Sequence, residues 1–121
     1  MLRDEINALS MQAHQNAEEH GFYSRLQYEM DAMIDADEPS LAEDIRRTFV
    51  VAALGKIGSE AGEAISCAQK KLHYDGLDEE LADIVIRVFD LAAFMGIPIG
   101  DAIMAKMETN KGRPYMHGKL C

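Results

Sequence analysis

Two pairs of acidic residues lie in otherwise apolar stretches: Glu60 and Glu63 in SEAGE, and Glu80 and Asp83 in ELAD. Residues three apart share a face of an α-helix, so each pair would present two carboxylates side by side. Glu63 and Glu80 are symmetric about a point between residues 71 and 72, and so are Glu60 and Asp83, so two antiparallel helices joined near that point would bring all four carboxylates together. Carboxylates in contact repel one another unless they are protonated or bind a cation. Hard oxygen donors favour Mg²⁺, with Mn²⁺ as a substitute, so the spacing predicts a Mg²⁺ site.

Two alternatives compete with this interpretation. A single acidic pair is most simply a solvated helix face, since the chain has 21 acidic residues. A ferritin-like di-iron site needs Glu-x-x-His pairs, and none of the four histidines has a glutamate three residues before it. Two pairs in matched register on apolar helices therefore favour Mg²⁺ over both alternatives.

The composition limits the class of protein. A chain of 121 residues suits one domain, and a net charge of −9 argues against binding nucleic acid or an anionic membrane surface. An acidic protein that handles phosphates needs a cation to reverse the local field. Two distant cysteines, Cys67 and Cys121, indicate a reduced, cytoplasmic protein. No signal-peptide core is visible, and no apolar run approaches the roughly 18 residues of a membrane span.

Helix signals dominate and strand signals are weak. Ser40 and Glu43 form a capping-box pattern, Asp78 is a candidate cap, and Gly21, Gly96 and Gly112 are helix terminators. The pattern predicts an all-α four-helix bundle over a single domain, 1–121, with a core at 40–112 and a tail at 113–121. The predicted helices are 2–19, about 40–72, about 79–95 and about 98–110, with a short helical or irregular segment after the first. A tight turn at 73–78 predicts that the second and third helices form an antiparallel hairpin.

Three glycines interrupt the second predicted helix, Gly55, Gly58 and Gly62. Glycine lowers helix propensity, so its presence indicates a close approach by a neighbouring helix or a symmetry mate. The third predicted helix is apolar over a wide arc, which indicates burial against more than one partner. We therefore expect at least a homodimer. Arg87 lies one turn after Asp83 and is expected to pair with it, either to orient a ligand or at a subunit interface.

The segments SEAGEAISCAQ, EELADIVIRVFDLAAFMGI and KMETNKGRPYMHGK together resemble the MazG-like nucleoside triphosphate pyrophosphohydrolases, members of the all-α NTP pyrophosphatase group. The family signature is EExxE, a variable gap and then ExxD, and the resemblance covers about residues 48 to 119. Ser59 departs from the signature, because it stands where the family usually has a first glutamate. The resemblance implies a MazG-like four-helix bundle that assembles as an intertwined homodimer or a dimer of dimers.

The resemblance also implies a reaction, a Mg²⁺-dependent cut of a (d)NTP between the α- and β-phosphates. The products would be a nucleoside monophosphate and pyrophosphate, with nucleotide-pool house-cleaning as the role. The metal-binding and catalytic residues implied are Glu60, Glu63, Glu80 and Asp83.

Substrate-binding residues are also implied by the resemblance. Lys106 and Asn110 match the family's K-x-x-x-N motif, which points at the phosphates, and Arg113 and Tyr115 would close over the nucleotide. The alternative is a helix end whose basic residues complement the helix dipole.

An aromatic base pocket is the last implied feature. His14 lies on the first predicted helix, and Phe22 and Tyr23 follow it. In some relatives a histidine and an aromatic residue at this separation line the base pocket, so we expect His14 and Tyr23 to do so. A surface histidine beside two core aromatics is the alternative.

Two alternative functions stay open. The departure at Ser59 is compatible with a non-catalytic helical-bundle interaction or regulatory module with a degenerate metal site. A pyrophosphatase for a modified or non-nucleotide substrate is the other.

Overall fold

The structure, a computed structural model, describes residues 1–115. Within this range the chain forms five α-helices and a short 3₁₀ turn, without a strand. The helices are α1 (Leu2–Glu19), α2 (Ser24–Asp35), α3 (Pro39–Lys70), α4 (Leu77–Phe94) and α5 (Ile99–Lys111), and the 3₁₀ turn is Leu72–Tyr74. The predicted all-α class is confirmed, with five helices in place of four. Over residues 1–115, no helix combines the length and apolar composition that a bilayer crossing requires.

The first two helices are separated by a glycine turn. The predicted bounds of α1 are confirmed, and Gly21 just beyond it has φ +80°, a conformation that glycine adopts without strain. The segment that sequence alone left undecided contains α2, whose only buried residue is Leu26.

The predicted capping box at Ser40 is wrong. The N-cap of α3 is Glu38, Pro39 occupies the first turn, and no side chain caps the helix. Proline suits the first helical position because its φ is already near the helical value and its missing N–H would have no partner there. Pro39 therefore starts the helix and places Ser40 inside it.

The connection between α3 and α4 is set by backbone conformation. Tyr74 and His73 in the 3₁₀ turn have positive φ, and Gly76 has φ +86°. Gly76 rather than Asp78 is the N-cap of α4, so the helix begins two residues before the predicted start. The glycine can take the left-handed conformation that ends the turn.

Helix α4 has a central position. It packs against α1 and α3, while α2 packs on α3 and α5 packs mainly on α1. Gly100 sets the α1–α5 contact, because a Cβ atom at this position would collide with the carbonyl oxygen of Arg3. Its N–H donates to Oδ1 of Asn7 at 2.6 Å.

The core of the chain is thin. Buried apolar residues within the described range are mostly alanines, and they are Ala17, Leu26, Ala42, Ala64, Leu91 and Ala92. Ser10 is also buried, and its hydroxyl donates to the carbonyl oxygen of Phe89 at 2.6 Å, which ties α1 to α4. Many larger apolar side chains stay exposed.

Candidate functional site

Three of the four predicted carboxylates meet between α3 and α4. One carboxylate oxygen each from Glu60, Glu63 and Glu80 lie within 4.8 Å of one another. Glu60 and Glu80 are partly buried, and Glu63 is exposed. The three-residue spacing on α3 aims two of these groups at α4, and we call the three residues the acidic cluster.

The fourth predicted carboxylate, Asp83, lies outside this group. It is exposed on α4, and its side chain is one methylene shorter than that of glutamate. Its negative charge still acts on the acidic cluster, since it is one of the charges that raise the pKa of Glu80. The predicted meeting of four carboxylates is therefore corrected to three, with Asp83 beside them.

Glu80 is the most constrained member of the acidic cluster. Its Oε2 atom is buried and has no hydrogen-bond partner within residues 1–115. Burial raises the pKa of its carboxyl above the usual range, the neighbouring charges of Glu63, Asp83 and Glu60 raise it further, and a hydrogen bond between the Glu80 and Glu63 carboxyls acts in the same direction. A buried polar atom without a partner is costly, and a divalent cation with oxygen ligands would relieve both the repulsion and the missing contact. The donor set thus fits Mg²⁺ or Mn²⁺.

Arg87 compensates one charge of the acidic cluster. Its Nε–H donates to Oε1 of Glu60 at 2.8 Å, and the side chain of Glu60 is only 12% exposed. The sequence had suggested Asp83 as the partner of Arg87, on the basis of spacing within one helix. The partner lies instead across the α3–α4 interface, which a pattern within one helix does not reveal.

An open pocket of about 700 Å³ adjoins the acidic cluster. Glu63 and Glu80 form part of its wall, and two basic residues at the end of α3, Lys70 and Lys71, form another part. Ser59 also lines this pocket. The position that departs from the MazG-like signature therefore opens onto the same space as the carboxylates.

His14 and Tyr23 lie together, and Asp90 of α4 joins them. The hydroxyl of Tyr23 donates to Oδ1 of Asp90 at 2.7 Å, and Nδ1 of His14 lies 2.9 Å from the same oxygen. The other ring nitrogen of His14 is 2.6 Å from Oε1 of Glu18. Burial raises the pKa of Tyr23 well above its usual range, and the contact with Asp90 adds to this effect.

Aromatic packing fixes the ring of Tyr23. It stacks on Phe94 with 4.8 Å between ring centroids, and Phe49 lies 5.2 Å away. The guanidinium of Arg46 lies 5.0 Å from the centre of the Phe94 ring, within the range of a cation–π contact. The resemblance anticipated that His14 and Tyr23 lie together but not the contact with Asp90, which lies seven residues after Asp83 and so on the same side of α4.

The predicted phosphate-binding residues lie on α5 and just after it. Lys106 and Asn110 are exposed on α5, and Arg113 and Tyr115 follow that helix. No hydrogen bond or ion pair within residues 1–115 joins any of them to the acidic cluster. Because α5 packs mainly on α1, the structure does not bring this group to the carboxylates within one chain.

Comparison with known proteins leaves the resemblance untested. No protein-family model matches the chain, and no match was found among curated proteins or solved structures. The relation to the MazG-like enzymes therefore stays a prediction that is based on the sequence motifs alone.

Proposed function

We propose that the protein is a Mg²⁺-dependent nucleoside triphosphate pyrophosphohydrolase of the MazG-like kind, which cleaves a (d)NTP between the α- and β-phosphates. The observation that carries the proposal is the meeting of Glu60, Glu63 and Glu80 within 4.8 Å, with a buried oxygen of Glu80 that has no partner among the described residues. An arrangement this repulsive is costly unless a carboxylate is protonated or a cation binds to it.

The three carboxylates would hold the metal, as hard oxygen ligands do. When bound, Mg²⁺ neutralises phosphate charge and lowers the pKa of a water molecule for in-line attack. Asp83 lies just outside the three carboxylates and supplies a further negative charge beside Glu80. It, or one of the three, would take the proton of the attacking water.

The overall charge supports a role for the cation. A chain with a net charge of −9 repels a free triphosphate, so binding needs a local reversal of sign. The pocket beside the acidic cluster combines carboxylates with Lys70 and Lys71. This combination of charges suits a phosphate chain that carries a divalent cation.

The finer features of the proposal follow from the resemblance. We propose a MazG-like bundle in which α3 and α4 form the antiparallel hairpin, in a cytoplasmic homo-oligomer that removes unwanted nucleotides from the pool. Lys106, Asn110, Arg113 and Tyr115 would contact the nucleotide, as would His14 and Tyr23. The proximity of His14 and Tyr23, with ring centroids 4.8 Å apart, supports a common role for these two.

A second candidate is a non-catalytic helical interaction or regulatory module with a degenerate metal site. The observation that favours it is the ion pair between Arg87 and Glu60 at 2.8 Å, since the arginine neutralises one of the carboxylates without a metal. Ser59 also favours this second candidate, because it stands where the signature has a further carboxylate.

Incubation with a panel of (d)NTPs separates the two candidates. With Mg²⁺, and in parallel with Mn²⁺, we expect release of pyrophosphate from at least one nucleotide. Absence of release from every nucleotide with either metal would exclude the enzyme and leave the interaction module.

A further inference from the structure

Two lysines lie at the C-terminal end of α3. Lys70 is the last residue of the helix, and Lys71 is its C-cap, in an extended backbone conformation. Both residues are exposed, and both line the open pocket of about 700 Å³ whose wall also contains Glu63 and Glu80. They are the only basic residues of this pocket within residues 1–115. A ligand that fills the pocket from the acidic cluster to the end of α3 therefore meets both cations.

The helix places Lys70 on the same face as the acidic cluster. Lys70 follows Glu63 by seven residues, which is two helical turns, so the two side chains share a face. Their Cα atoms are separated by about 10 Å along the helix axis. Helical side chains lean toward the N-terminus of their helix, so the side chain of Lys70 leans toward Glu63. This lean shortens the distance between the ammonium group and the carboxylates.

The acidic residues around the pocket do not neutralise the two lysines. Asp75 and Glu79 also line the pocket, but no ion pair within residues 1–115 uses Lys70 or Lys71. A basic residue in the last turn of a helix complements the helix dipole, which accounts for Lys70 more readily than for Lys71. Both ammonium groups therefore remain available to an anion in the pocket.

We infer that Lys70 and Lys71 bind the β- and γ-phosphates of the substrate, so that the site selects nucleoside triphosphates over diphosphates. The inference rests on the proposed hydrolase activity. With the α-phosphate at the acidic cluster, the other two phosphates extend along α3 toward its C-terminal end. Lysine binds phosphate as a point charge and imposes no fixed geometry, so two exposed lysines suffice for this contact.

The cleavage makes the same lysines a site for the product. Water attacks the α-phosphorus, the bond to the α–β bridging oxygen breaks, and the electron pair of that bond leaves with pyrophosphate. Pyrophosphate consists of the two phosphates that Lys70 and Lys71 hold. Its binding can therefore be measured without turnover, which separates the inference from the proposed activity.

The first test compares the triphosphate and the diphosphate of one nucleoside as substrates and as competing inhibitors. Wild type is expected to prefer the triphosphate. In the double variant Lys70→Met, Lys71→Met, the KM for the triphosphate should rise at least tenfold, as expected for the loss of charged hydrogen bonds. The diphosphate should be affected less, and kcat should change less than KM. A purely structural role of the lysines at the helix end would not produce this difference between the two nucleotides.

The second test is calorimetric titration of the protein with pyrophosphate in the presence of Mg²⁺. Wild type is expected to bind pyrophosphate more tightly than orthophosphate, and the double variant is expected to lose at least tenfold in pyrophosphate affinity. Lys70→Arg, which keeps the charge, should retain most of it. Lys56→Met is the matched control, because Lys56 is exposed on α3 but does not line the pocket. Circular dichroism reports whether each variant folds.

The two tests distinguish failure of the inference from failure of the proposed activity. If wild type cleaves nucleotides but the folded double variant keeps its triphosphate KM and its pyrophosphate affinity, the inference alone is overturned. A loss of the same size in Lys56→Met would also overturn it, because the effect would then be one of general charge. If wild type cleaves no nucleotide, the proposed activity fails, and unchanged pyrophosphate affinity in the double variant would overturn the inference as well.

Discussion

Nε of Arg87 lies 2.8 Å from Oε1 of Glu60, so a cation from α4 already contacts one carboxylate of the acidic cluster. Glu60 is 12% exposed and Arg87 is 43% exposed, so water screens the pair mainly on the arginine side. The contact joins α3 to α4 at the point where like charges push them apart.

Arg87→Gln is expected to lower the free energy of unfolding by about 1–3 kcal/mol, a value between those for exposed and buried ion pairs. The loss follows because Glu60 would keep its charge beside Glu63 and Glu80 without compensation. Urea denaturation without divalent cations measures it. Arg25→Gln is the control, since Arg25 pairs with Glu29 at 2.8 Å but is 91% exposed; equal effects of the two substitutions would contradict the account.

The raised pKa of Glu80 predicts a pH dependence of stability. The unfolded chain releases this proton near the ordinary value of 4.5, whereas the folded protein releases it at higher pH. Between the two pKa values the folded protein holds more protons, so the free energy of unfolding falls as pH rises. Above both values the Glu80 carboxyl is ionised in the folded and the unfolded chain, and the free energy of unfolding is lowered by the full amount.

Glu80→Gln is therefore expected to stabilise the protein at neutral pH without divalent cations, and to remove this part of the pH dependence. Thermal unfolding of both proteins from acidic to neutral pH measures the difference. Glu79→Gln, an exposed neighbour, is the control. If Glu80→Gln destabilised the protein at neutral pH, the burial and repulsion inferred at Glu80 would be wrong.

The hydrogen bond between Tyr23 and Asp90, 2.7 Å long, is expected to stabilise the contact between α4 and the segment that precedes α2. Tyr23→Phe keeps the ring stacked on Phe94 and removes only the hydroxyl. A hydrogen bond to a charged acceptor contributes about 1.5–3 kcal/mol, so the free energy of unfolding should fall by that amount. Tyr28→Phe, at a 76% exposed position on α2, should have no measurable effect, and equal behaviour of the two variants would argue against the contact.

Lys106 tests the predicted phosphate contact. If it binds the phosphates, Lys106→Met should lower kcat/KM about 10- to 100-fold, the range expected for a lost hydrogen bond between charged groups. Stability should not change, because the residue is exposed. Lys111→Met on the same helix, where the lysine lies 3.5 Å from Glu108, is the control, and full activity of Lys106→Met would remove this residue from the site.

The sequence predicted features that depend on residues close to one another along the chain. The bounds of α1 follow from its apolar spacing and from Gly21, and the matched spacing of the two acidic pairs anticipated the meeting of Glu60, Glu63 and Glu80. The predicted start of α3 was wrong because two sequence signals for a helix start lie next to each other. Pro39 and the Ser40 capping pattern both fit a helix start, and the proline determined it.

Features that depend on how helices rotate against one another were missed. Arg87 pairs with Glu60 on α3 rather than with Asp83 on its own helix. Asp90 contacts two side chains, His14 of α1 and Tyr23 of the segment before α2. The contact of Gly100 with α1 joins residues more than 90 positions apart in the sequence. No periodicity within one helix contains this information.

The central claim is that the acidic cluster holds the cation for cleavage between the α- and β-phosphates. The direct measurement is the identity of the products, by ³¹P NMR, for wild type and Glu63→Gln with Mg²⁺. The account predicts monophosphate and pyrophosphate from wild type, and no turnover by a folded Glu63→Gln. Diphosphate and orthophosphate as products, or undiminished turnover in Glu63→Gln, would contradict it.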